Sequence, residues 1–364
     1  MDDAFKPVWA SPPGDTIEEL LLNKGMSHRQ FADSICLSEA QVDKLIKGKK
    51  SITKKIAETL ETLLGSTKSY WMKRDSQYKE DLLRYTAEAS ERKEWIKSIP
   101  AADMLNFGWI ENTYSKELEC LKYFEVSTVD EWYEKYNDIL SVTSFRTSGS
   151  FDSTPESVVT WLKRGELISE KIISDSWNES SFTCAVNEAR GLTRERDPEV
   201  FIPKLQKIFS KCGVAIVVEK SPKRCKASGA AFFVTSKKAV IMLSGRHLSD
   251  DHFWFSFFHE AGHILLHGNM ELFLEFDDIN KNNDDEEKEA DKFAEKILIP
   301  DDFRDEFLSL NSREWKKIIK FAKKINTSAG IVLGQLQYFN KVDPRYLNKL
   351  KNRYKWSGMN LVRA

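Results

Sequence analysis

Phe257-Phe258-His259-Glu260-Ala261-Gly262-His263-Ile264-Leu265-Leu266-His267 is the stretch from which the rest of the chain is read. It contains His-Glu-x-x-His. On a helix, His259 and His263 stand four residues apart and share a face. Two imidazoles at that spacing can hold one zinc ion, and Glu260, beside the first, can reach a water on it. Such a centre lowers the pKa of water and polarises a carbonyl, while the glutamate carries a proton to the leaving amine. The flanks suit a buried helix. Ser249-Asp250-Asp251 offers an N-cap, and Phe253, Trp254, Phe255, Phe257 and Phe258 make the approach apolar. Five of the six histidines fall between His247 and His267, which concentrates the chemistry here.

A zinc site of this kind needs a third protein ligand and an open fourth position. Residues 284–300 supply acids ahead of a helical pattern, with Ala290, Phe293, Ala294, Ile297 and Leu298 spaced at helical period and Pro300 ending it. Glu287 and Asp291 are four apart. Glu287 is therefore the candidate third ligand, with Asp291 behind it to orient a histidine. Glu289 is the fallback ligand. Glu286 and Glu295 read as solvated helix positions.

The two halves together, His-Glu-x-x-His and then Glu287, Ala290, Asp291, Phe293, Ala294 and Ile297-Leu298-Ile299-Pro300, resemble the ImmA/IrrE family of gluzincin-like metallopeptidases. Asp291 stands where that family often has Asn. The resemblance implies zinc-dependent endopeptidase activity against a regulatory protein or toxin partner, or against the chain itself.

Upstream, short helical patterns follow one another from residue 10. Ile17, Leu20 and Leu21 suggest a first helix; Ser27 caps a second carrying Phe31 and Ala32; Ser38 caps a third carrying Val42, Leu45 and Ile46, stopped at Gly48; Thr53 starts a fourth, Ile56 to Leu64. Short helices joined by a few residues form a helix-turn-helix pattern. Residues 10–83 resemble the XRE/Cro-like family, and within it the HigA-like antitoxins. The resemblance rests on Pro13-Gly14, Met26-Ser27, Phe31-Ala32, Leu37-Ser38, Leu45-Ile46-Lys47-Gly48-Lys49, Ser51-Ile52-Thr53 and Tyr70-Trp71. It implies operator DNA as a partner and a homodimer as the assembly. Helix three, from Ser38, would lie in the major groove with Glu39, Ala40, Gln41 and Lys44 toward the bases. Ser27, His28 and Arg29 would meet phosphate, with Lys47, Lys49, Lys50, Lys54 and Lys55 as a cationic patch. Glu39 and Asp43 set negative charge on the same helix.

The expected fold is mainly α with an α+β C-terminal domain. It comprises a five-helix helix-turn-helix domain (1–83), a helical connecting region (84–180) and a small gluzincin-like zinc peptidase domain (181–364). From Lys68 to about Tyr123 the chain is charged and helical, with Tyr70, Trp71, Tyr78, Leu82, Leu83 and Tyr85 as a buried stripe, and the polar run 141–150 suggests a linker. Residues 229–234 and 239–243 read as a β-hairpin after a buried strand, 212–218. One hairpin strand is a candidate edge for pairing with an extended peptide. Residues 268–285 read as an acidic loop and 349–363 as a basic tail, free or on nucleic acid.

Composition sets outer limits. The net charge of -1 gives no global attraction to nucleic acid or membrane, so any basic patch is local. Five cysteines without a C-x-x-C pair read as reduced thiols in a cytoplasmic protein. No apolar run approaches transmembrane length, and the N-terminus lacks a signal-peptide pattern. A second function fits the same features: a HigA-like repressor whose metal domain senses or binds a partner without cutting.

Overall fold

The computed structural model describes residues 10–113, 115–147, 153–268, 273–276, 285–311 and 315–364. The chain divides into two compact units, residues 1–95 and 96–364.

The first unit is built from α1 (Pro13–Asn23), α2 (His28–Ser34), α3 (Glu39–Ile46), α4 (Lys54–Leu64) and α5 (Lys68–Ser98), the last running past the unit boundary. Its starts are set by side-chain caps. Ser27 and Ser38 each accept from the backbone N–H three residues on, and Gln30 and Gln41 return the bond to the cap N–H. These reciprocal boxes satisfy N–H groups that have no partner inside the helix. Thr53 caps α4 in the same way, by accepting from Ile56 N–H. The apolar faces close over Ile17, Phe31, Val42, Leu45, Leu60 and Trp71. Trp71 is fully buried and donates its indole N–H to Gly65 O at 3.0 Å.

The stripe expected along α5 is only half present. Trp71 and Tyr78 are buried, but Tyr70, Leu82 and Leu83 are exposed, and the side chain of Tyr85 lies outside the described residues. The 31-residue helix outruns the core that its first turns cover.

The second unit opens with α6 (Ala101–Asn106), α7 (Lys116–Phe124), α8 (Val129–Thr147), α9 (Pro155–Lys171), α10 (Glu179–Leu192) and α11 (Pro198–Ser210). Residues 141–147, expected as linker, continue α8; 148–150 lie outside the described residues. Then come β1 (Val214–Val218), β2 (Ala227–Thr235), β3 (Lys238–Leu243), α12 (Asp250–Leu266), β4 (Phe273–Phe276) and α13 (Asp285–Leu298). They are followed by α14 (Arg304–Ser309), α15 (Trp315–Lys324), α16 (Ala329–Tyr338), β5 (Tyr354–Ser357) and β6 (Asn360–Arg363). The main sheet has the order β1-β3-β2-β4: β1 runs parallel to β3, and β2 is antiparallel to both neighbours.

The hairpin is therefore β2–β3, as its turn residues imply, but both of its strands are interior. The edges among the described residues are β1 and β4. The acidic segment contains β4, Phe273-Leu274-Glu275-Phe276; residues 269–272 and 277–284 lie outside the described residues. The basic tail is neither free nor disordered. It folds as the β5–β6 hairpin and buries Tyr354 and Leu361.

The core of this unit surrounds α12, which packs against β2, β3, α13 and α16. Trp254, Phe257 and Phe258 are fully buried, each contributing about 1.5–3 kcal/mol by leaving water. Phe257 meets Phe209 of α11 edge-on, with ring centroids 5.3 Å apart. A helix buried on nearly every side holds its polar groups in fixed places, and this positions the site.

Candidate metal centre

Three polar side chains sit inside that apolar helix. His259, Glu260 and His263 are fully buried. The one-turn spacing brings the two imidazoles together, with Nε2 of His259 3.0 Å from Nε2 of His263. From α13, Glu287 places its carboxylate oxygens 3.2 Å from His259 Nε2 and 3.6 Å from His263 Nε2. One ligand atom from each of the three lies within 4.8 Å of the others. Asp291, one turn further along α13, accepts from His259 Nδ1 at 2.9 Å. A carboxylate can only accept, so Nδ1 carries the proton and the Nε2 lone pair faces the cluster.

Charge fits the same picture. Burial raises the Glu287 carboxyl, but its contacts with both histidines outweigh that and hold it below the ordinary carboxylate range. Burial and the neighbouring His259 push His263 below the usual imidazole value. Two imidazoles and one carboxylate suit zinc by type, number and convergence.

Close approach makes this possible. A Cβ on Gly262 would lie 3.2 Å from Ala290 Cα, so α12 and α13 pack almost backbone to backbone. Glu260 faces the sheet instead: a Cβ on Gly229 of β2 would lie 2.7 Å from Glu260 Cγ. Gly229 thus makes room for the glutamate. At the far end, Phe273 of β4 stacks on His263, with centroids 4.4 Å apart and planes 12° from parallel. Gly229 and Phe273 were not singled out for the centre from sequence. Only the smallness of one and the apolar run around the other signalled them.

Glu289 does not join the cluster. It is exposed, 3.7 Å from His267 Nε2, and His267 occupies the C-cap position of α12. At the other end Ser249 holds the N-cap position without a capping bond. Its hydroxyl donates to Asp251 at 2.7 Å.

In the first unit His28, Arg29, Ser38, Glu39, Ala40, Gln41, Lys44 and Lys49 are all exposed around α2, α3 and the turn after it. His28 lies 3.7 Å from Glu18, and Lys47 is paired with Asp43 at 2.7 Å. Gln41, expected to face a base, has its amide oxygen committed to Ser38 N–H at 3.1 Å. No helix among the described residues is long and apolar enough to cross a membrane.

No curated protein matches the chain. A solved structure of an addiction module antidote protein of a HigA family from Coxiella burnetii is similar at 26% identity, over 22% of this chain and 90% of that one, with a TM-score of 0.20. Residues 17–71 match the helix-turn-helix family and residues 214–336 the IrrE N-terminal-like domain of the M78 peptidases. The chain therefore joins an XRE-like helix-turn-helix domain to an M78 peptidase domain of the ImmA/IrrE kind.

Proposed function

We propose that this chain is a DNA-binding regulator whose second unit is a zinc-dependent endopeptidase acting on a regulatory protein. The observation that carries the reading is the convergence of His259, His263 and Glu287 in a buried site, with Asp291 fixing the His259 tautomer. His259 Nε2, His263 Nε2 and the Glu287 carboxylate would hold zinc. When bound, zinc supplies a Lewis acid that polarises the scissile carbonyl and makes water a nucleophile near neutral pH.

The remaining steps belong to the protein. Glu260 takes the proton from the attacking water and returns it to the leaving amine. Its burial against β2 keeps bulk water from competing for that proton. The edge strand β4, bearing Phe273 against His263, is where an extended substrate would add a strand. The exposed face of α3 with Lys44, and Lys49 in the turn after it, form the segment we assign to operator DNA.

The test is N-terminal labelling of a lysate of the source cells incubated with zinc-loaded wild-type chain or with Glu260→Gln. New N-termini produced only by the wild type support the peptidase. Identical termini in the two samples contradict it.

A further inference from the structure

The two imidazoles of the metal centre are held by different devices. His259 is fixed at its edge: Asp291 accepts from Nδ1 at 2.9 Å, which sets both the tautomer and the direction of Nε2. His263 has no counterpart of that carboxylate. Its Nδ1 is buried and makes no hydrogen bond among the described residues. The torsion that turns a histidine ring about Cβ–Cγ is broad, so the backbone of α12 alone does not aim Nε2 of His263 at Glu287. A metal-binding histidine whose ring is left free to turn loses affinity. Some other contact has to hold this one.

What meets His263 is a flat apolar face. Phe273 of β4 stacks on it with ring centroids 4.4 Å apart and planes 12° from parallel. Turning His263 about Cβ–Cγ would drive an edge of the imidazole into the Phe273 ring, so the stack fixes the plane in which Nε2 lies. The same phenylalanine meets His267 at 5.8 Å and 43°; the parallel contact is with His263. Phe273 is itself fixed. It is 4% exposed, and its backbone pairs with Ala231 of β2, next to the Gly229–Glu275 pair. Strand β2 therefore sets two features of the centre: Gly229 leaves room for Glu260, and Ala231 carries the pairing that places Phe273. Any apolar group would satisfy packing here. A parallel ring on an imidazole that lacks an edge partner also orients it.

We propose that Phe273 is a positioning residue: its ring, stacked on His263, does for the second histidine ligand what the Asp291 carboxylate does for the first. The proposal rests on the zinc reading above and adds to it a residue that is not a ligand.

The test measures zinc affinity of the full-length chain by competition with a chromogenic chelator. In parallel the site is loaded with cobalt(II), whose visible absorption bands follow the geometry of its ligands. Phe273→Leu keeps an apolar side chain but loses the flat face. It should weaken zinc by about tenfold and shift the cobalt bands, with the metal stoichiometry unchanged. Phe273→Tyr keeps the ring and should match the wild type in both readouts. Melting curves report folding; should Phe273→Leu not fold, Phe273→Met, a more adaptable apolar side chain, is read in its place. Wild-type zinc affinity and cobalt bands in the leucine or methionine variant overturn the inference and leave the zinc reading intact. Equal losses in the leucine and tyrosine variants overturn it too, because the ring would then not be what acts. A wild type that takes up neither metal removes the zinc reading and the inference with it. Neither readout involves proteolysis, so an inactive but metal-loaded chain still decides the question.

Discussion

At the scale of single residues, the centre depends on groups that sequence spacing could place and on others it could not. The pairs His259/His263 and Glu287/Asp291 are legible because helical period alone puts members of each on one face. Spacing cannot say that α13 lies against α12, nor that Asp291 meets His259 rather than His263. Gly229 lies 31 positions before Glu260, and only the sheet brings them together. It yields a sharp prediction. Gly229→Ala should keep zinc at wild-type stoichiometry and lose at least 100-fold in hydrolysis, because the new methyl displaces the proton carrier and not the ligands. Loss of zinc in that variant would contradict this placement. Asp291→Ala should weaken zinc by roughly 10–100-fold in a competition titration, since His259 loses the acceptor that fixes its ring. Asp291→Asn, which retains an acceptor, should weaken it less. Equal effects would mean that Asp291 does something other than orient His259.

Whole elements follow the same division. The starts of α2, α3 and α4 were readable because a cap is a local device: Ser27, Ser38 and Thr53 satisfy N–H groups within three residues. The β2–β3 hairpin was readable from its turn. Edge status was not, because it depends on β4, four residues inside an acidic segment, and on the parallel return of β1. The exposed part of α5 misled for a related reason: apolar residues at helical spacing say that a stripe exists but not how far the opposing core extends. Removing the α3 cap with Ser38→Ala should lower the stability of the first unit by about 1 kcal/mol in urea unfolding, and Gln41→Ala should also destabilise it through the same box. If α3 reads DNA as we propose, Lys49→Ala should reduce the slope of log affinity against log salt by about 0.9, with little change in sequence preference. An unchanged slope would remove Lys49 from the phosphate contacts.

At the scale of the whole molecule, mainly α architecture with a small α+β domain was evident from the order of patterns. The use of the C-terminal tail was not. Asn352 donates to both carboxylate oxygens of Asp250, Ser328 donates to one of them, and Lys351 pairs with Asp251. The C-terminal segment thus ties down the start of α12. Burial pushes Asp250 up to about 6 despite the donors from Ser328 and Asn352. The sign follows from linkage: a carboxyl whose folded value is raised stays protonated in the fold after the unfolded chain has ionised. Its contribution is therefore lost as pH rises from about 4 to about 6 and stays lost above that. Removing a donor raises the folded value further and matters only where Asp250 is charged. Asn352→Ala should accordingly destabilise the chain more at pH 8 than at pH 5 in paired urea titrations, and an equal loss at both would show that Asp250 does not ionise in the fold. The central claim, a zinc centre on His259, His263 and Glu287 with Glu260 outside the ligand set, is tested most directly by metal content after purification and zinc loading. We predict one zinc per chain in the wild type, none in His259→Ala and one in Glu260→Gln; a wild type that refuses zinc, or a Glu260→Gln variant that loses it, would contradict the account.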